Sequence, residues 1–362
     1  MSNPAPATPR PATSRHDAAA LRGMAQAMFA RAGMPDDRAA DVTDILIEAD
    51  LMGHDTHGLQ LLPTYLAEIE SGSMAVTEDY DVISERAAVA TWDGKRLPGP
   101  WLTLRALESA MARARDYGTG TVTIRRSHHI ACLAAYLERA TRAGLVMLLF
   151  SSAPGAATVA PFGGTRAVFS PSPLAVGFPT PEGPVLIDVS TSITTNGLTG
   201  RLYKEGKRLP HQWLIDEHGN ASDDPAVLFP PHAGSILPLG GLDVGHKGFA
   251  LSLMVEALTA GLTGHGRDDP GKRWGNTVFL QILDPAAFAG EEAFATQMGW
   301  VARASTGNPP RPGVDRVRLP GQGALERKAR QLREGVALNP AILPQLAPWL
   351  EKYGMAAPAA LA

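Results

Sequence analysis

Apolar positions in the first fifth of the chain recur at helical spacing. Leu21, Met24, Met28 and Phe29 share one face, Ser14 and Asp17 ahead of them form a capping-box pair, and Gly33 stops the run. Pro35 and Asp36 open a second helix with Val42, Ile45, Leu46, Ala49 and Met52 on its stripe, broken at Gly53. A third, from about 59 to 70, carries Leu62, Leu66 and Ile69. The period then changes. Segments 82–83 and 88–92 read as strands, with Asp93-Gly94 as a turn signal. Pro100 opens a helix that ends at Gly118. Strand 121–124, a helix over 133–143 closed by Gly144, and a buried strand 145–150 follow. Residues 151–184 are rich in Gly, Pro and Ser and hold a strand or two, around Val168 and at 175–178; 185–189 is another strand. The apolar segment 247–263 predicts a central helix, 277–283 a strand, and 286–304, 326–334 and 341–353 helices.

Helices, then an α/β body, then helices: this order predicts an α/β (α+β) fold. It divides the chain into a disordered tail over 1–13, a helical domain from 14–78 plus about 305–362, and an α/β cofactor- and substrate-binding domain over 79–304. With 362 residues, such a division into two units is expected.

Composition narrows the function classes. Lys and Arg number 33 against 36 Asp and Glu, a net charge of −3, which excludes a phosphate-neutralising nucleic-acid binder. The chain is 44% hydrophobic and 19% charged, enough apolar material for a core. Its single cysteine, Cys132, excludes an internal disulfide framework and a multi-cysteine zinc site and reads as a small buried residue. No apolar run reaches the roughly 20 residues of a membrane span. A cytoplasmic globular protein without membrane or nucleic-acid partners is expected.

Familiar cofactor motifs are missing. There is no Gly-x-Gly-x-x-Gly after an early strand, no Walker A sequence, no Gly-x-Ser-x-Gly and no zincin motif. The candidates lie elsewhere. Gly53-His54-Asp55-Thr56-His57-Gly58 is a polar turn between two amphipathic helices, either a plain turn or a place for a proton-shuttling imidazole with a hydroxyl beside it. Arg126-Ser127-His128-His129 joins a strand to a helix, where Ser127 reads as an N-cap and the free N–H groups suit an anion. A metal site from His54, His57, His128 and His129 is not demanded by any ligand spacing. Asp188-Val189-Ser190 ends an apolar strand, a usual ligand position in α/β proteins, or makes ordinary strand-end hydrogen bonds. Lys247, after His246, opens the apolar helix as a phosphate ligand or as a solvated lysine.

In this order the clusters resemble one family, the type-2 malate/L-lactate dehydrogenases with their ureidoglycolate, sulfolactate and cyclic-imine reductase relatives. Asp55-Thr56-His57-Gly58-Leu59-Gln60-Leu61-Leu62-Pro63 is similar to the family's Asp-Ser-His-Gly-x-x-Arg-x-Pro. Ser127, His129 and Tyr136 match its Ser-x-His and downstream Tyr, and Ala160-Pro161-Phe162-Gly163-Gly164 matches Ala-Pro-Trp-Gly-Gly. Asp188-Val189-Ser190-Thr191-Ser192 resembles Asp-Met-Ala-Thr-Ser, and Lys247-Gly248-Phe249-Ala250-Leu251 resembles Lys-Gly-Tyr-Gly-Leu. Glu256, Gly264, Asn276, Asp284-Pro285 and Leu319-Pro320-Gly321 also fit, so the resemblance runs from about 16 to 337.

The resemblance implies a non-Rossmann NAD(P)-binding mixed-sheet domain, a homodimer, and hydride transfer between NAD or NADP and a 2-oxo/2-hydroxy acid-type small molecule. His57 would be the proton donor and acceptor, with Thr56 in place of a relay serine, and His129 would lie at the junction of substrate and nicotinamide. Ser127, His129, Asp188, Val189, Ser190, His246 and Lys247 would hold the cofactor, with no metal. Departures concentrate in the substrate pocket. Leu61 stands where the family carries a carboxylate-binding Arg, Pro171 replaces a Thr, and Leu198 replaces a polar residue. Arg126, Arg166 and Arg201 are candidate substitute anchors. A cyclic imino acid reductase, or a dinucleotide-binding homologue without catalysis, is the alternative.

Overall fold

Alternating side chains along buried strands need apolar cover on both faces, and the body of the protein is built on that demand. A computed structural model of the chain describes residues 14–269, 271 and 273–361; the tail expected over 1–13 lies outside them. Seven strands form one mixed sheet: β1 (Asp81–Arg86), β2 (Val89–Asp93), β3 (Thr119–Ser127), β4 (Val146–Ser152), β5 (Leu174–Phe178), β6 (Val185–Val189) and β7 (Asn276–Leu283). Their spatial order is β1-β2-β3-β7-β4-β5-β6. Only β2 and β3 run parallel; the other neighbouring pairs are antiparallel. In β7, Val278, Leu280 and Ile282 enter the main core while Phe279 turns to the opposite face, against Phe150 and Val255. The β1–β2 hairpin turns at Ala87-Ala88, and Asp93-Gly94 instead leads out of β2.

The helices are α1 (Ala18–Arg31), α2 (Asp36–Met52), α3 (Leu62–Glu70), α4 (Gly99–Tyr117), α5 (Ala134–Thr141), α6 (Asn196–Lys204), α7 (His246–Glu256), α8 (Glu291–Thr306), α9 (Gln322–Glu334) and α10 (Ile342–Lys352). Helix α4 is the crossover between parallel β2 and β3 and stops at Gly118, whose φ of 78° is left-handed. Helices α9 and α10 return to the N-terminal layer. Gln331 donates to the Asp50 and Leu51 carbonyls and Arg327 to that of Met52, satisfying the end of α2. Arg15–His16 pairs antiparallel with Val336–Ala337.

Several local expectations are corrected. Asp17 alone caps α1, accepting from Ala20 N–H, while the Ser14 hydroxyl bonds to the His16 ring. Ser127 caps no helix: its hydroxyl donates to the His128 carbonyl, and α5 starts only at Ala134. Around Val168 there is a single bridge, Val159 to Phe169, rather than a strand. The segment 247–263 is not central. Val255 is buried, but Leu253 is 49% and Leu262 56% exposed, so its all-round apolarity serves one packed face and one uncovered face.

Candidate active site

Helix α2 ends on left-handed Gly53, and one 3-10 turn, Asp55–His57, follows. The buried Asp50 carboxyl accepts the Leu59 N–H at 2.8 Å and lies so close to Gly58 that a Cβ there would fall 2.2 Å from Oδ1. That contact fixes the turn and points Thr56 and His57 at the end of the sheet. Thr56 Oγ1 is 2.9 Å from His57 Nδ1, leaving Nε2 as the working nitrogen.

The second imidazole comes from the far end of β3. His129 Nδ1 accepts the Ala131 N–H at 3.3 Å and lies 2.8 Å from the Tyr65 hydroxyl. A backbone N–H can only donate, so the His129 proton sits on Nε2. Ala131 reaches this position at φ 57°, a strained value for a residue with a side chain. Trp274 stacks on the His129 ring at 4.7 Å, and the His57 ring is 5.8 Å away on a near-parallel plane. Burial holds the His129 pKa well below the usual histidine range, with His57 and His128 adding to the shift. Burial also lowers the pKa of His57, though the Asp188 charge opposes it. His128 is fully buried, is pushed down to about 3 by desolvation and Arg96, and bonds outward to Glu68. Among the described residues no three His, Cys, Asp or Glu side chains are grouped to hold a metal ion.

Asp188, near the end of β6, accepts the Ala134 N–H at 2.8 Å and so occupies the first turn of α5, the anion position expected from the strand-to-helix junction. Cys132 is buried beside it, its thiol pKa raised by desolvation and by Asp188.

These groups face one cavity of about 440 Å³, within the range of small-molecule sites. Thr56, His57, Leu61, His129, Pro171, Asp188 and Ser190 all line it. Ser170 and Ser172, which flank Pro171, are held from behind by the Arg267–Glu256 pair. Ser127 is buried off the cavity, Val189 turns outward, Leu198 lies one residue past its wall, and His246 and Lys247 are exposed at the start of α7. Among the described residues, none that lines the cavity is Lys or Arg, and Asp188 is the one carboxylate. Of the candidate anchors, Arg126 pairs with Asp93, Arg166 is exposed, and Arg201 bonds to Asp55.

Sequence reasoning passed over Tyr65 and Trp274. Tyr65 sits within the apolar stripe of α3, and a buried phenol there needs a polar partner, which is a readable signal. Trp274 carries no such local cue.

A model of the malate/L-lactate dehydrogenase family matches residues 16–347. The chain is 32% identical over 346 residues to an L-lactate dehydrogenase of Cupriavidus necator, spanning 94% of this chain and 98% of that one. A crystal structure of malate dehydrogenase from Entamoeba histolytica superposes with a TM-score of 0.90 at 25% identity, covering 96% of this chain and all (100%) of that one. A delta1-piperideine-2-carboxylate reductase from Pseudomonas syringae gives a TM-score of 0.80 at 28% identity, covering 93% and 100%. With its sheet, its paired imidazoles and these matches, the chain belongs to the malate/L-lactate dehydrogenase family of oxidoreductases.

Proposed function

We propose that the chain is an NAD(P)-dependent oxidoreductase acting on an oxo or hydroxy acid-type small molecule between His57 and His129. The observation that carries this reading is the pair of near-parallel imidazoles, with ring centres 5.8 Å apart, in a cavity whose described lining residues include no Lys or Arg. A nicotinamide ring fits the residues present. Asn276 uses one end of its buried amide on Ser151, and its Oδ1 has no partner among the described residues, which suits a primary carboxamide. Asp188 and Ser190 border the same space. Val189, His246 and Lys247 are exposed outside the cavity lining, free to meet the remainder of a dinucleotide. When bound, the dinucleotide supplies or accepts the hydride.

The chain's own groups do the rest. His129, neutral and protonated on Nε2, donates a hydrogen bond to the substrate oxygen or nitrogen. His57 gives or takes the proton at Nε2, and Thr56 holds its other nitrogen. Asp188 offsets the charge of a protonated His57. Leu61 and Pro171 form an apolar wall that suits a cyclic substrate, so reduction of a cyclic imino acid is the second reading.

His57→Ala should lower turnover by about 100-fold or more while leaving the dissociation constants for NADH and NADPH, read by nicotinamide fluorescence, unchanged. Turnover that survives the substitution contradicts the assignment, and nucleotide binding without turnover of any oxo or imino compound by the wild type favours a non-catalytic homologue. The uncovered apolar residues Leu242, Val244, Leu253, Met254 and Leu262 support a homodimer; sedimentation as a lone 38.2 kDa species contradicts it.

A further inference from the structure

We propose that the substrate is elongated: its reacting carbon lies between the two imidazoles, and its acid group lies several bonds away in a second, adjoining cavity. This rests on the oxidoreductase reading above and specifies which substrates the site takes.

The two cavities divide the work by charge. Among the described residues the first has no cation on its walls, so a carboxylate directly beside the reacting carbon would have no partner among them and would lie close to Asp188. The second, of about 300 Å³, shares Asn196 and Gly197 with the first and is bordered by Gln60, Arg201, Lys204 and Gln345. Its walls are thus made by α6, by the residue next to Leu61 and by the start of α10. At Gly197 the shared wall carries no side chain, and an added Cβ would lie 3.4 Å from the Thr56 side chain.

Arg201 and Lys204 are three residues apart on α6, so both cations meet the same cleft. Arg201 uses Nη1 on Asp55 at 3.1 Å, and its remaining N–H donors are enough for an anion. Glu205 also borders the cleft but is held by Lys207 at 2.6 Å. The Arg201–Asp55 contact joins the cleft to the turn that carries Thr56 and His57, so an anion seated there and the proton-transferring imidazole share one support. Apolar Leu61 in the first cavity and the cationic cleft beside Gln60 then complement each other: the acid is gripped at a distance.

The test is a series of methyl ketones with a carboxylate two, three or four methylenes from the carbonyl, each beside its methyl ester, together with pyruvate. NAD(P)H oxidation is followed for the wild type, Lys204→Glu and Lys204→Arg. One chain length should be reduced with kcat/KM about tenfold or more above its own ester and above pyruvate, a difference typical of one charge-assisted contact. Lys204→Glu should erase the preference for acid over ester, Lys204→Arg should keep it, and the fluorescence-derived Kd for NADH or NADPH should not move in either. Equal rates for acid and ester at every length overturn the proposal. So does weakened nucleotide binding in Lys204→Glu, which would give the cleft to a dinucleotide phosphate. Pyruvate as the best substrate, with Lys204→Glu indifferent, removes this inference and leaves the oxidoreductase reading standing. No turnover of any ketone by a wild type that binds nucleotide also removes this inference, and the oxidoreductase reading falls with it only if cyclic imino acids are not reduced either.

Discussion

Leu61 sits on the cavity wall within the turn that follows His57, and its side chain offers nothing to a carboxylate. Leu61→Arg brings a guanidinium to that wall, and a bidentate pair with a carboxylate is among the stronger polar contacts. The variant should raise kcat/KM for pyruvate by about tenfold or more relative to wild type. An unchanged value would mean that the residue at position 61 does not set substrate choice. Thr56, His57, His129 and Asp188, left open by local spacing and singled out by the family resemblance, line one cavity. Tyr65, which completes the hydrogen bonding of His129, is hidden in a helix stripe, where its neighbours Leu62 and Leu66 read only as core. The neutrality of His129 was not legible at all, because it depends on a backbone N–H delivered by left-handed Ala131.

At the scale of elements, the junction from α2 into the His57 turn is controlled by one buried acid. Asp50 is fully desolvated, its pKa is raised to about 8, and its Oδ2 accepts from Leu59. Between the ordinary carboxylate value and about 8 the folded chain keeps a proton that the unfolded chain has lost. Stability from this group is therefore complete in acid, declines as pH rises through that window, and is flat above it. Asp50→Asn retains an acceptor for the Leu59 N–H and removes the titration. Its melting temperature relative to wild type should rise steadily from about pH 5 to about pH 8. A difference that does not vary with pH would show that Asp50 is not titrating in that window. The long helices here were readable from their stripes and their glycine stops, as α2 at Gly53 and α4 at Gly118 illustrate. The region between α6 and α7 was not. Its strands, Leu214–Ile215, Ala221–Ser222 and Ser235–Ile236, are two residues each, too short to carry any alternation, and their small sheet exists only through distant pairing.

For the whole molecule, the layout is a sheet with the groups of the proposed site drawn from three directions. The turn after α2 brings His57, the end of β3 brings His129, and β6 brings Asp188. Helix α9 braces the first of these by capping α2 from behind. The apolar helix α7 was misread as central because periodicity cannot distinguish a helix buried in its own chain from one that packs against its own sheet on one side and leaves the other uncovered. All three catalytic directions converge on one claim, that hydride passes directly between a nicotinamide and a carbon held between His57 and His129. The most direct measurement uses NADH and NADPH carrying deuterium at one or the other face of nicotinamide C4, incubated with the protein and the oxo and imino compounds, with products analysed by mass spectrometry. The account predicts a single deuterium in the product from one labelled face and none from the other. Product free of label from both faces, or no product from a protein that binds the nucleotide, would contradict it.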